Sequence, residues 1–158
     1  MQLFLVQHAE ALSKEEDPDR PLSPRGMGDA EAVAAFLARA GVAPGRILHS
    51  GKTRARQTAD ILAGPIGAES TVQESPVEIG ATSPPDDLAE AARGWAGDTM
   101  VVGHMPFMGK AAARLLTGDA DGAPMAFRPG SVLCLERDAD TGAFALAWMI
   151  RPDVLTGA

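Results

Sequence analysis

Residues 2–8, Gln2-Leu3-Phe4-Leu5-Val6-Gln7-His8, form a short apolar run that ends on an amide and a histidine. Four consecutive apolar side chains leave the segment no polar face. It therefore reads as a strand buried on both sides, the pattern of a parallel sheet rather than of a half-solvated antiparallel one. Residues 99–102 repeat the pattern and end on Gly103-His104. Residues 46–49 give a shorter strand ending on His49-Ser50, and residues 71–73 a weaker one. Helical periods lie between these strands. Ser23 is placed to cap a helix with Pro24 at its first position; Val33, Phe36, Leu37 and Ala40 recur along it at helical spacing, and Gly41 ends it. A second helix is predicted over 53–62, with Ala55, Ala59 and Leu62 on one side and Gly64-Pro65 as its stop. Leu88, Ala91, Ala92 and Trp95 mark a third, after the proline-rich loop 75–85, and Met108, Ala111, Ala112 and Leu115 a fourth.

The last third changes character. Residues 131–136 and 143–150 have only Asp138-Ala139-Asp140-Thr141-Gly142 between them and read as a β-hairpin. The expected architecture is a three-layer α/β/α fold whose mostly parallel sheet ends in that hairpin. A single domain over residues 1–150 with a C-terminal tail at 151–158 is expected. With 158 residues and 46% apolar side chains the chain buries enough surface to fold without staples. Fourteen Lys and Arg against twenty-one Asp and Glu give a net charge of −7, which opposes binding to nucleic acid or an anionic membrane. Any anion site must be local. Apolar runs such as 3–6 and 145–150 fall far short of the ~18 residues of a membrane span. Ala9-Glu10-Ala11 imitates a signal-peptide cleavage site, but neither a basic n-region nor a sufficient apolar stretch precedes it. The lone Cys134 cannot form an internal bridge, so a reducing compartment, the cytoplasm, is expected.

In open α/β sheets ligands sit beyond the carboxyl ends of the strands. There this chain puts Gln7-His8, His49-Ser50 followed by Lys52 and Arg54, and Gly103-His104. Metal binding is not indicated, since no HExxH or close His and Cys pairing exists. Gly51-Lys52-Thr53 imitates the end of a P-loop, but the position five before Gly51 is Arg46 rather than glycine. Cys134, inside an apolar strand, reads as an inert buried thiol.

Four segments, in order, resemble the small bacterial SixA-type phosphohistidine phosphatases of the histidine phosphatase superfamily, whose fold is phosphoglycerate mutase-like. Leu5-Val6-Gln7-His8-Ala9-Glu10-Ala11 resembles the RHGxA signature, and Arg20-Pro21-Leu22-Ser23-Pro24-Arg25-Gly26 the RPL[ST]xxG segment. Ser50-Gly51-Lys52-Thr53-Arg54-Ala55-Arg56-Gln57-Thr58 resembles SxxxRAxQT, and Val101-Val102-Gly103-His104-Met105-Pro106 resembles Vx[GS]HxP. The resemblance implies His8 as nucleophile, Arg54 as phosphate clamp and His104 as second histidine, with Pro106 at a first helical position aiming N–H groups at the same anion. It departs at Gln7, where the family has arginine, and at Ala9, where it has glycine. Gln7 still donates hydrogen bonds but carries no charge; Arg20 and Lys52 are the cations placed to make up for it in substrate binding. Arg56, two positions from Arg54, points elsewhere on a helix. Glu78 is the first candidate acid and Glu10 the second. The implied activity is cofactor-free hydrolysis of phosphohistidine on a protein, such as a phosphotransfer domain of a signalling relay, by a monomer. The alternatives are a small-molecule phosphatase and a phosphate-binding module impaired by Gln7.

Overall fold

Leu3, Phe4, Leu5 and Val6 are all buried in the computed structural model, which describes residues 1–67 and 71–157. They lie on β1 (Gln2–Gln7), and the order that follows is α1 (Pro24–Arg39), β2 (Arg46–His49), α2 (Thr53–Ile66) and β3 (Val72–Glu74). Then come α3 (Pro85–Gly94), β4 (Thr99–Gly103), α4 (Phe107–Thr117), β5 (Val132–Arg137), β6 (Phe144–Ile150) and α5 (Pro152–Thr156). The six strands make one sheet in the order β3-β2-β4-β1-β5-β6. β3, β2, β4 and β1 run parallel, while β5 and β6 form the expected hairpin and pair antiparallel.

Side-chain alternation along buried strands divides the core into two layers. Leu3, Leu5, Leu48, Val101 and Leu133 pack on Leu88 and Ala92 of α3 and on Phe107, Met108 and Ala111 of α4. Phe4, Val6, Ile47, Met100 and Val102 pack on Val33 and Leu37 of α1 and on Ala55, Ala59 and Leu62 of α2. The fold is thus the expected three-layer α/β/α arrangement.

Several boundaries differ from expectation for physical reasons. The helix α2 runs on to Ile66 and takes Pro65 into its last turn, because Ile66 packs against the core and Gly67, at φ 72°, closes the helix in the left-handed region. Residues 151–157, read as a tail, include the short helix α5, whose Pro152 is buried and whose Leu155 packs against the α1 and α2 layer. β3 starts and ends one residue later than predicted, set by pairing of Ile47 with Val72 and of His49 with Glu74.

Ser23 caps α1 as expected, its Oγ accepting from the Gly26 N–H at 3.0 Å. This helix start presses directly on the segment after β1: a Cβ at Gly26 would lie 2.0 Å from the Glu10 carbonyl oxygen. Gly28, one half-turn on, has nothing within 4 Å of its would-be Cβ. Gly26→Ala is therefore expected to destabilise by about 1–3 kcal/mol or more through overpacking, while Gly28→Ala stabilises by about 0.5–1 kcal/mol through helix propensity. Urea denaturation of the two variants checks this, and equal midpoints would contradict the close approach.

Candidate active site

β1 and β4 are neighbours in register, with Gln7 opposite Gly103, so His8 and His104 leave the sheet side by side. The end of β1 is held from both flanks. The His8 N–H donates to the Gly103 carbonyl at 2.9 Å, and the Gly130 N–H is shared between the Gln7 and His8 carbonyls at 3.1 Å each. Gly103 has no room for a side chain, since a Cβ would come within 2.3 Å of Met108 Cε. The two imidazole centroids are 5.0 Å apart at 62°, close enough for both rings to meet one phosphate-sized anion.

Arg54, in the first turn of α2, joins the rings. Its Nε donates to His8 Nε2 at 3.1 Å and its Nη2 lies 3.4 Å from His104 Nδ1. His8 Nδ1 is 2.7 Å from the Ala9 carbonyl oxygen. A carbonyl only accepts, so Nδ1 carries the proton and Nε2 keeps its lone pair. Thr58 ties the two elements together, its hydroxyl donating to the Arg54 carbonyl at 2.7 Å and accepting from the Ala9 N–H at 3.0 Å. Ser50, just after β2, places its Oγ 2.7 Å from His104 Nε2.

Burial pushes His8 down to about 4, with Arg54 and Arg20 adding to the effect against the opposing pull of the Ala9 carbonyl. Burial also lowers His104 to about 4, helped by His8, Arg54, Lys52 and Arg20. Both rings are neutral at pH 7. Burial and the Arg20 charge pull Arg54 below its ordinary value.

Arg20 thus acts on every member of the cluster. Its backbone sits at φ 51°, a left-handed conformation that costs a non-glycine residue about 1–2 kcal/mol. The surrounding bonds impose it: Arg20 Nε donates to the Leu12 carbonyl at 3.1 Å, Leu12 N–H to Pro21 at 2.9 Å, and Leu22 N–H to the Gln57 side chain at 2.8 Å. Lys52 is exposed at the N-cap of α2, and its charge reaches His104. Gln7 Oε1 is buried with no hydrogen-bond partner.

Other predicted residues fall elsewhere. The Glu10 carboxylate accepts from the Ser23 hydroxyl at 2.7 Å and so holds the start of α1. Glu78 is exposed, and neither carboxylate figures among the charges that shift the two histidines. Pro106 stands at the N-cap rather than the first position of α4, after a cis peptide bond, and the Met108 N–H is taken by the His104 carbonyl. Arg56 turns away to Asp60, as helical spacing requires. Among the described residues no three His, Cys, Asp or Glu side chains group to hold a metal ion, and no helix is long and apolar enough to cross a membrane. Sequence reasoning did not single out Ser50 and Thr58, which contact His104 and Arg54, although both lie in the segment that resembles SxxxRAxQT.

The family model of the histidine phosphatase superfamily (branch 1) matches residues 3–82, the stretch that carries His8, Arg20, Ser50 and Arg54. The chain belongs to the histidine phosphatase superfamily. No curated protein sequence matches it. Its structure is similar to that of the protein histidine phosphatase SixA complexed with tungstate, with a TM-score of 0.85 and 25% identity over 98% of this chain and 99% of that one. A candidate SixA phosphohistidine phosphatase from Agrobacterium tumefaciens has a TM-score of 0.77 at 24% identity, over 96% of this chain and 97% of the other. A mycobacterial glucosyl-3-phosphoglycerate phosphatase has a TM-score of 0.69 at 18% identity, over 93% and 97%. At those last two identities the likeness is one of fold. As a superfamily member the chain is built on a phosphatase scaffold of phosphoglycerate mutase-like form.

A proton uptake curve follows from the two buried rings. Unfolded imidazoles titrate near 6.5, so the folded chain takes up fewer protons between there and about 4. The stability they contribute is fully present above pH 6.5 and is lost as pH falls through about 4. An NMR titration is expected to show His8 and His104 titrating as a coupled pair near pH 4; midpoints near 6.5 would mean that burial and the nearby cations do not act on them.

Proposed function

We propose that this chain hydrolyses phosphohistidine on a protein through a phosphorylated His8. The observation that carries the reading is the single guanidinium of Arg54 aimed at His8 Nε2 and His104 Nδ1, two neutral imidazoles. The Arg54 Nε–H engages the lone pair that the nucleophile needs. A phosphoryl group entering between the rings takes over the Arg54 donors, which frees Nε2 to face phosphorus. The Nε2–P bond forms as the substrate's P–N bond breaks, and charge spread over the equatorial oxygens meets Arg54 and His104. The departing imidazole takes a proton from water. Water then attacks the same phosphorus, the His8 N–P bond breaks, and phosphate leaves with His8 restored.

Leaving-group chemistry favours this substrate class. An imidazole with an ordinary pKa near 6.5 needs little protonation help, whereas an alkoxide needs an acid. This substrate class does not depend on an acid, while Glu10 is bonded to Ser23 and Glu78 is exposed. The loops at this rim also carry no inserted helix among the described residues, which leaves a histidine on a protein surface room to enter. The reducing compartment expected from the unpaired, buried Cys134 suits a cytoplasmic signalling partner.

Incubation with a labelled phosphoryl donor in chelator is expected to give an acid-labile label on His8 that decays, and His8→Ala abolishes it. Anion binding with no label would favour the second reading, a phosphate-binding module, which the uncharged Gln7 supports.

The Gln7 position also tests how the missing charge is replaced. Arg20, held in a strained conformation with its charge acting on all three central residues, fills that role. Gln7→Arg is expected to raise the single-turnover rate by about tenfold, the equivalent of ~1.4 kcal/mol. Arg20→Ala should lower it by about 100-fold or more in the native background and by much less beside Gln7→Arg. Additive effects in this double-mutant cycle would show that the two positions do not share a task.

A further inference from the structure

Ser50 has no part in the chemistry described so far, yet its side chain makes a short contact with the ring of His104. Its Oγ is 2.7 Å from His104 Nε2, while Nδ1 of the same ring is 3.4 Å from Arg54 Nη2. A guanidinium only donates, so Nδ1 is the acceptor beside Arg54, and Nε2 carries the proton and donates it to Ser50. An ionised phosphoryl oxygen only accepts. When it takes the place of Arg54 at Nδ1, two acceptors face each other unless the proton changes nitrogen.

The groups around His104 disfavour the other solution, a charged ring. Arg54 approaches from α2, Lys52 from the N-cap of that helix and Arg20 from the loop before α1, and each opposes a positive charge on it. A tautomer exchange adds no charge. It requires a group at Nε2 that accepts from N–H in one state and donates to a bare nitrogen in the other. A serine hydroxyl does both by rotating its O–H.

We propose that Ser50 is a positioning residue that lets His104 exchange its Nε2–H tautomer for the Nδ1–H tautomer when a phosphoryl group binds. One proton leaves Nε2 for water and one arrives at Nδ1 from water, so none is gained overall, and the Ser50 O–H turns to donate to Nε2. This rests on the reading that His104 donates to the phosphoryl group.

Nitrogen NMR of the full chain, labelled at histidine, tests it with tungstate as the probe. His104 is expected to show Nε2–H without the anion and Nδ1–H with it. Ser50→Ala should bind tungstate about tenfold more weakly, the loss of one buried hydrogen bond, and lose the exchange. Ser50→Thr, which keeps the hydroxyl, should restore both. Tungstate that perturbs His8 while His104 keeps one tautomer overturns the role of Ser50 and leaves phosphorylation of His8 standing. So does an alanine variant that binds and exchanges like the native chain. If tungstate does not bind at all, this proposal and the phosphatase reading fall together.

Discussion

The parallel pairing of β1 with β4 is the constraint from which the site follows. With Gln7 opposite Gly103, the next residue on each strand is a histidine, and both rings emerge on the same rim. β2 lies on the other side of β4, so the turn after it delivers Ser50 to His104 and starts the helix that carries Arg54. Removing the glycine at 103, or the close approach of α1 at Gly26, would push apart the segments that make these neighbours. Packing and chemistry are therefore one problem here. The bond from Ala9 N–H to Thr58, and from Thr58 to the Arg54 carbonyl, locks the segment after β1 to α2 with backbone precision.

Charge is distributed with similar economy. The chain as a whole carries −7, yet Arg54, Arg20 and Lys52 converge on two imidazoles that burial keeps neutral. A neutral ring has the lone pair that attack on phosphorus requires, and the cations supply the positive field around it. Gln7 is where the chain departs from the RHGxA signature that this segment resembles. An amide in the place of arginine brings an oxygen as well as a donor, and that oxygen is buried without a partner, at a cost of about 1–3 kcal/mol that a guanidinium would not incur.

How much of this was legible in the sequence depends on the range of the interaction. Strands buried on both faces announce themselves by continuous apolar runs, and the α1 cap by Ser23-Pro24, because those signals are local. The helix α2 outran its proline stop because burial of Ile66 is a tertiary gain that a local rule does not see. The histidines were found as strand ends. Ser50, however, meets His104 across 54 residues of chain, and only the strand order reveals the contact. The contact of Glu10 with Ser23 was hidden for the same reason: it depends on how α1 folds back against the segment after β1.

Cys134 remains. It sits in β5 between Phe4 of β1 and Trp148 of β6, fully buried, and burial with the charges of Glu136 and Asp98 pushes its thiol up to about 12. Oxidants such as peroxide react with thiolates that solvent can reach, and this chain offers none among its described residues. A scaffold whose one described thiol is sealed inside its sheet gives such oxidants no cysteine to silence.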